Sequence, residues 1–144
     1  MHMRSVLALV LFVAAPTVAD AGGAAKHMLG AEIRTALTGI TLDGVYSDNL
    51  FFSETYFEDG LIRYHDINGA DTGEWTVEDD TFCTFYESLS GACFFVERDG
   101  DNCFTFFEAI EDDKGVLRPA AEWTSRGWNR DEESTCPTPP EAEI

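Results

Sequence analysis

Basic residues are scarce. Nine Lys and Arg stand against 27 Asp and Glu, a formal net charge of −18 at pH 7. Phosphate contact needs a basic footprint, so direct nucleic-acid binding is excluded. The same imbalance opposes docking on an anionic membrane surface. Long apolar runs are missing too: no internal stretch reaches the about 20 apolar residues of a spanning helix, so no membrane insertion is expected once the leader described below is cleaved. Histidine is rare, with three in the chain. His65 beside Asp66 is the one local base–acid pair, but neighbouring strand residues point to opposite faces, so the two cannot form a nucleophile relay directly. Gly-x-Ser-x-Gly, Walker, dinucleotide and Cys-x-x-Cys patterns are absent, leaving no motif for a catalytic residue, a thiol redox pair or a cofactor.

Aromatics, by contrast, are plentiful: eleven Phe, four Tyr and three Trp in 144 residues. That is too apolar for an acidic disordered chain and fits one compact domain. The first residues read as an export signal. Arg4 supplies the positive charge, Val6 to Ala15 is a short apolar run, and small residues follow. Cleavage is expected after Ala19 or Ala21, so residues 1–21 are a signal peptide and the protein is periplasmic or secreted. Residues 22–136 form a single β-rich domain. The Pro- and Glu-rich 137–144 is expected to be a disordered acidic tail.

Residues 24–37 carry Met28, Leu29, Ala36 and Leu37 at roughly helical spacing, with Ile33 between them and a stop at Gly39, which predicts one short helix. After Gly39 the pattern changes to aromatic and β-branched runs separated by turns, among them Asp59-Gly60, Asn68-Gly69, Leu89-Ser90-Gly91, Asp99-Gly100 and Asp113-Lys114-Gly115. This spacing predicts a mainly β protein, an antiparallel meander forming a small barrel or sandwich. The strands are expected at 41–47, 50–58, 61–67, 73–78, 81–87, 92–98, 102–109 and 116–124. Around Trp75 the alternation is clearest, with Trp75 and Val77 inward and Glu74, Thr76 and Glu78 outward. A two-residue loop at Asp99-Gly100 pairs Phe95 with Phe104 and Cys93 with Phe106, whereas a one-residue shift pairs Val96 with Phe104. The expected core aromatics are Phe51, Phe57, Trp75, Phe85, Phe95, Phe104 and Phe106.

An even cysteine count in an exported domain reads as two disulfides. Cys83 and Cys93 face one another if the intervening loop centres near Ser88, leaving Cys103 for Cys136; Cys93–Cys103 is the rival pairing. A zinc site would need closer ligand spacing. The Asp99, Gly100, Asp101, Asn102 turn offers oxygen ligands, but without EF-hand spacing it reads as a solvated turn, and no metal is expected. A glycosidase would need two acids across a cleft, with Glu54, Asp66 and Glu74 the strand positions to inspect.

Leu37-Thr38-Gly39-Ile40-Thr41-Leu42, Tyr56-Phe57, Asp59-Gly60, Gly73-Glu74-Trp75, Phe82-Cys83, Cys93-Phe94 and the Gly100 hairpin together resemble small exported β-rich proteobacterial proteins grouped as a domain of unknown function. The resemblance covers residues 37–108. It implies that Cys83 and Cys93 correspond to that group's paired cysteines, and it brings no catalytic residue.

The leading expectation is an exported acidic binding or structural module without catalytic activity, its charge steering it toward a basic protein. A periplasmic inhibitor of a basic enzyme such as lysozyme is one version. The alternative is a barrel for a small apolar ligand, lined by Phe51, Phe52, Tyr56 and Tyr64. Interior volume separates the two: a filled core favours the first, an open aromatic cavity the second.

Overall fold

The chain from Thr41 to Glu111 runs up and down through seven antiparallel strands: β1 (Thr41–Tyr46), β2 (Phe51–Tyr56), β3 (Leu61–Asp66), β4 (Gly69–Glu78), β5 (Thr81–Tyr86), β6 (Ala92–Arg98) and β7 (Phe104–Glu111). A stub, β8 (Leu117–Pro119), pairs with the end of β7, and β9 (Ser125–Asn129) slots between β7 and β1. Eight strands thereby close into a barrel, with β8 outside the ring and one helix, α1 (Gly30–Leu37), ahead of β1. These descriptions come from a computed structural model that describes residues 27–137. The expected signal peptide and residues 138–144 of the expected tail lie outside that range.

The helix sits at the end of the barrel where β4 turns into β5. Its first amide, Gly30 N–H, donates to Asp80 Oδ1 at 2.7 Å, and the preceding Leu29 N–H donates to Glu32 Oε2 at 2.7 Å. Both are groups that a helix leaves without internal partners. Gly30 is required there, because a Cβ would overlap the Asp79 carbonyl. The helix buries Ile33 and Leu37 against the barrel base. Residues 27–29 are not helical as expected: Met28 N–H donates to the Val96 carbonyl at 2.7 Å, and His27 bridges Glu97.

The lower barrel is filled by side chains. Leu42, Tyr56, Ile62, Trp75, Phe82, Val96 and Phe104 are buried in one cluster with Ile33 and Leu37. Tyr56, Trp75 and Phe82 pack ring to ring at 5.3 to 6.1 Å. Trp75 also donates from Nε1 to the Phe57 carbonyl at 2.9 Å, and its strand alternates as expected.

Four expected core positions are corrected. Phe51 is 70% exposed and Phe85 43% exposed, while Phe57 and Phe95 are half-buried on the outer face. On β2 the inward phase is Phe52, Glu54 and Tyr56, one residue out of step with Phe51 and Phe57. The β6–β7 register differs from both expected alternatives: Val96 opposes Phe106 and Arg98 opposes Phe104. The cause is Asn102, whose buried side chain is held by the segment after β9. Its Nδ2 donates to the carbonyls of Asn129 at 3.0 Å, Glu133 at 3.1 Å and Glu132 at 3.3 Å. Residues 99–103 therefore form a five-residue loop rather than a two-residue turn. Phe95 is displaced outward, with its ring 5.3 Å from that of His27.

Both favoured disulfides form. Cys83 and Cys93 are directly opposed on β5 and β6, and Cys103 joins Cys136 across 33 residues of sequence. Two disulfides fit an oxidising compartment, extracellular or periplasmic. Among the described residues no helix is long and apolar enough to cross a membrane. Of the expected strand at 116–124 Leu117–Pro119 is extended, as β8, and Ser125–Asn129 completes the ring. Its Gly127 lies against Leu42, whose Cδ2 would be 2.5 Å from an added Cβ, so only glycine lets β9 close on the core.

Candidate functional site

The two ends of the barrel differ. Helix α1 and the strap holding Asn102 and Cys136 close the base. Among the described residues the opposite mouth carries no helix or strap of this kind; the β1–β2, β3–β4 and β5–β6 turns meet there, with the β7–β8 extension at one side. Three of the four tyrosines lie on the inner face toward that mouth, Tyr46 on β1, Tyr64 on β3 and Tyr86 on β5, and the fourth, Tyr56 at the base end of β2, extends its hydroxyl up to them.

At their centre is Glu54. It is an inward residue of β2 by the same period-two alternation that buries Phe52 and Tyr56. Its two carboxyl oxygens accept from the hydroxyls of Tyr56 and Tyr86. A second chain runs beside it: Tyr46 OH donates to Tyr64 OH at 3.3 Å, and Tyr64 OH donates to Asp66 Oδ2 at 2.9 Å. Burial raises the pKa of Glu54 above its ordinary value, against the opposing pull of the two phenol hydrogen bonds. Burial, reinforced by the Glu54 carboxylate, likewise pushes the hydroxyls of Tyr56 and Tyr86 upward. Asp66, bonded first by Tyr64 and then by the Asn68 amide, is held below the usual carboxylate range. None of the ion pairs among the described residues involves Glu54.

A small pit of about 60 Å³ opens beside Glu54. Phe52, Phe82, Phe94, Phe106, Tyr46 and Tyr86 form its walls, and Thr84, Thr124 and Ser125 add polar groups. This volume is below the roughly 300–1,000 Å³ of ordinary small-molecule pockets. Of the four expected ligand-lining residues, Phe52 borders the pit, Tyr56 lies beneath it as a donor to Glu54, and Tyr64 belongs to the neighbouring hydroxyl chain. Phe51 is corrected: it points outward. Tyr46, Thr84, Tyr86 and Ser125 went unnoticed in the sequence. The available signal was Phe52-x-Glu54-x-Tyr56, which forces an acid inward whenever its aromatic neighbours are inward.

The outer wall carries a second grouping. Trp128, Asp43, Ser53 and His65 lie in a row across β9, β1, β2 and β3. The Ser53 hydroxyl donates to Asp43 Oδ1 at 2.5 Å and accepts from Arg130 at 3.0 Å. Its proton is committed to a carboxylate rather than to an imidazole, and that carboxylate is clamped by Arg130, so this is a structural triad and not a nucleophile relay. His65 and Asp66 do face opposite sides of β3, with His65 exposed. Glu74 is likewise exposed on the outer face. Glu78, Cys83 and Cys93 form the one His/Cys/Asp/Glu grouping with metal-like spacing among the described residues, but both sulfurs belong to a disulfide. In the turn considered for calcium, Asn102 is turned inward as a backbone clamp.

No family model matches the chain, and no curated protein or solved structure matches it.

Proposed function

We propose that the chain is an exported, acidic, non-catalytic binding module that receives a basic protein at the open end of its barrel. The observation that carries this reading is the filled interior. With Leu42, Tyr56, Ile62, Trp75, Phe82, Val96 and Phe104 occupying the lumen, about 60 Å³ is left beside Glu54, small for an apolar ligand, and the larger hollow of about 340 Å³ bordered by Tyr64, Asp71, Tyr86 and Leu89 lies out on the turns of the mouth. The mouth, in contrast, offers a docking rim. Leu50, Phe51, Ile67 and Leu89 are exposed on its turns, Ile67 at 86% and Leu89 at 68%. Exposed apolar groups gathered on a rigid scaffold favour protein contact. Asp48, Asp71 and Glu87 lie among them, so the long-range field attracts cations. The resemblance to small exported β-rich proteobacterial proteins and the two disulfides support export. An inhibitor of a basic enzyme such as lysozyme is the concrete form of this reading.

The test is capture of periplasmic proteins by the tagged mature chain at low and high salt, beside a double rim variant, Phe51→Ser with Ile67→Ser. Salt-sensitive capture of a basic protein that the rim variant loses is expected. Capture indifferent to both salt and the rim overturns the reading. Mass spectrometry of the exported chain should find Asp20 or Gly22 as the first residue; retention of Met1 overturns export.

A further inference from the structure

We infer that the pit beside Glu54 is a binding site for a primary alkylammonium group, either a free amine or the side chain of a partner's lysine. The lysine form rests on the reading above; the site itself does not.

Three features converge. The first is a buried carboxyl group with phenol donors but no cation among the described residues. A buried carboxylate gains most from a full positive charge, because the low local dielectric strengthens the attraction. The second is the wall. Phe52 packs against Tyr46 at 4.6 Å between ring centroids, and Phe106 lies 5.5 Å from Phe82 and 6.4 Å from Phe94. Such a box of aromatic rings attracts cations through their negative faces. The third is size and polarity. At about 60 Å³ the space is small, which suits a compact cationic head group. Glu54 and the hydroxyls of Thr84 and Ser125 offer acceptors for the three N–H donors of such a group. A quaternary trimethylammonium group has no N–H to donate to these acceptors, and a guanidinium spreads its donors in a plane rather than from one nitrogen. The pit therefore selects lysine over arginine and primary over quaternary amines. The acidic mouth, with Asp66 next to the second tyrosine chain, concentrates cations at the entrance.

The experiment is an NMR titration of the oxidised chain with n-butylammonium chloride. Parallel arms use n-butanol, n-butylguanidinium, tetramethylammonium, and sodium chloride at matched ionic strength. Saturable shifts confined to Glu54 and its neighbours Tyr46, Tyr86, Phe94 and Ser125 are expected with butylammonium. The other four additives should bind at least tenfold more weakly. Glu54→Gln, which keeps shape and removes charge, should weaken butylammonium at least tenfold. The carboxyl ¹³C signal of Glu54 in the unaltered chain provides a second readout if that variant does not fold, and it should move on saturation. Equal shifts with butanol or sodium, an unmoved Glu54 signal, or undiminished binding by a folded Glu54→Gln chain overturns the site. N-acetyl-lysine methylamide separates the sources: binding like butylammonium assigns the site to a lysine side chain, and exclusion assigns it to free amines. Because the rim variant leaves the pit intact, loss of protein capture with butylammonium binding retained would overturn the protein-docking reading alone.

Discussion

Asn102 and Asn129 exchange hydrogen bonds across the base of the barrel. The Asn129 backbone N–H donates to Asn102 Oδ1 at 2.8 Å, and Asn102 Nδ2 donates back to the Asn129 carbonyl at 3.0 Å. The same amide reaches Glu132 and Glu133, so a single buried side chain ties the β6–β7 loop to the end of the closing strand. Asn102→Asp keeps the shape but loses the donor and sets a carboxylate against carbonyl oxygens. It should destabilise the fold by about 2–4 kcal/mol, as expected where a buried network is broken. Urea denaturation of the two proteins measures this, and a loss below about 0.5 kcal/mol, the scale of an ordinary surface change, would show that the clamp is not formed in solution.

Phe51 and Phe52 provide a direct test of the barrel phase. They are sequence neighbours on opposite faces, one 70% exposed and one buried. Phe52→Ala should cost about 3–5 kcal/mol and Phe51→Ala within about 0.5 kcal/mol. Denaturant midpoints in the reverse order would mean that β2 is threaded the other way round.

Trp75→Ala should cost about 3–5 kcal/mol, since it removes the ring packed between Tyr56 and Phe82 and abandons the Phe57 carbonyl. Loss of near-ultraviolet dichroism at lower denaturant would accompany it. A change below about 1 kcal/mol would place Trp75 outside the core.

The Glu54 carboxyl is pushed upward by burial, with Tyr56 and Tyr86 opposing. Tyr46 on β1 and Tyr64 and Asp66 on β3 also titrate at this end, with Asp48, Asp71 and Glu87 on the surrounding turns. A raised carboxyl binds its proton more tightly folded than unfolded. Its stabilisation is complete below the unfolded value, about 4.3, and is lost as pH rises through the folded value. The stability of the native chain relative to Glu54→Gln should therefore fall between pH 4 and pH 7. Paired urea titrations at the two pH values measure the difference; one that is flat, or that rises with pH, would contradict a desolvated carboxyl.

Removing the long disulfide, with Cys103→Ser and Cys136→Ser together, should cost about 3–4 kcal/mol in the chain-entropy picture, because the bridge spans 33 residues. The Cys83–Cys93 bridge spans 10 and should cost less, about 2–3 kcal/mol. Peptide mapping without reductant should recover these two linkages, and a Cys93–Cys103 peptide would overturn both.

Local chemistry was enough for much of the fold. Short aromatic runs punctuated by Asp-Gly and Asn-Gly dictate a meander, because two-residue period and positive-φ turns are local properties of the chain. The Trp75 alternation and the opposed Cys83 and Cys93 follow from the same locality. What required the tertiary structure is everything set by partners distant in sequence. Ser125–Asn129 has little strand character of its own, and it is a strand because β1 and β7 both offer it hydrogen bonds. The Asp99–Cys103 loop opened because Asn102 bonds to residues about thirty positions away, and that moved Val96 inward in place of Phe95. The Phe51–Phe52 choice was ambiguous because adjacent aromatics satisfy either face until neighbouring strands choose one. Glu54 is the sharpest case. One acid among 27 in the sequence, it is set inward by the alternation of β2, but barrel closure carries Tyr86 to its side and denies it water.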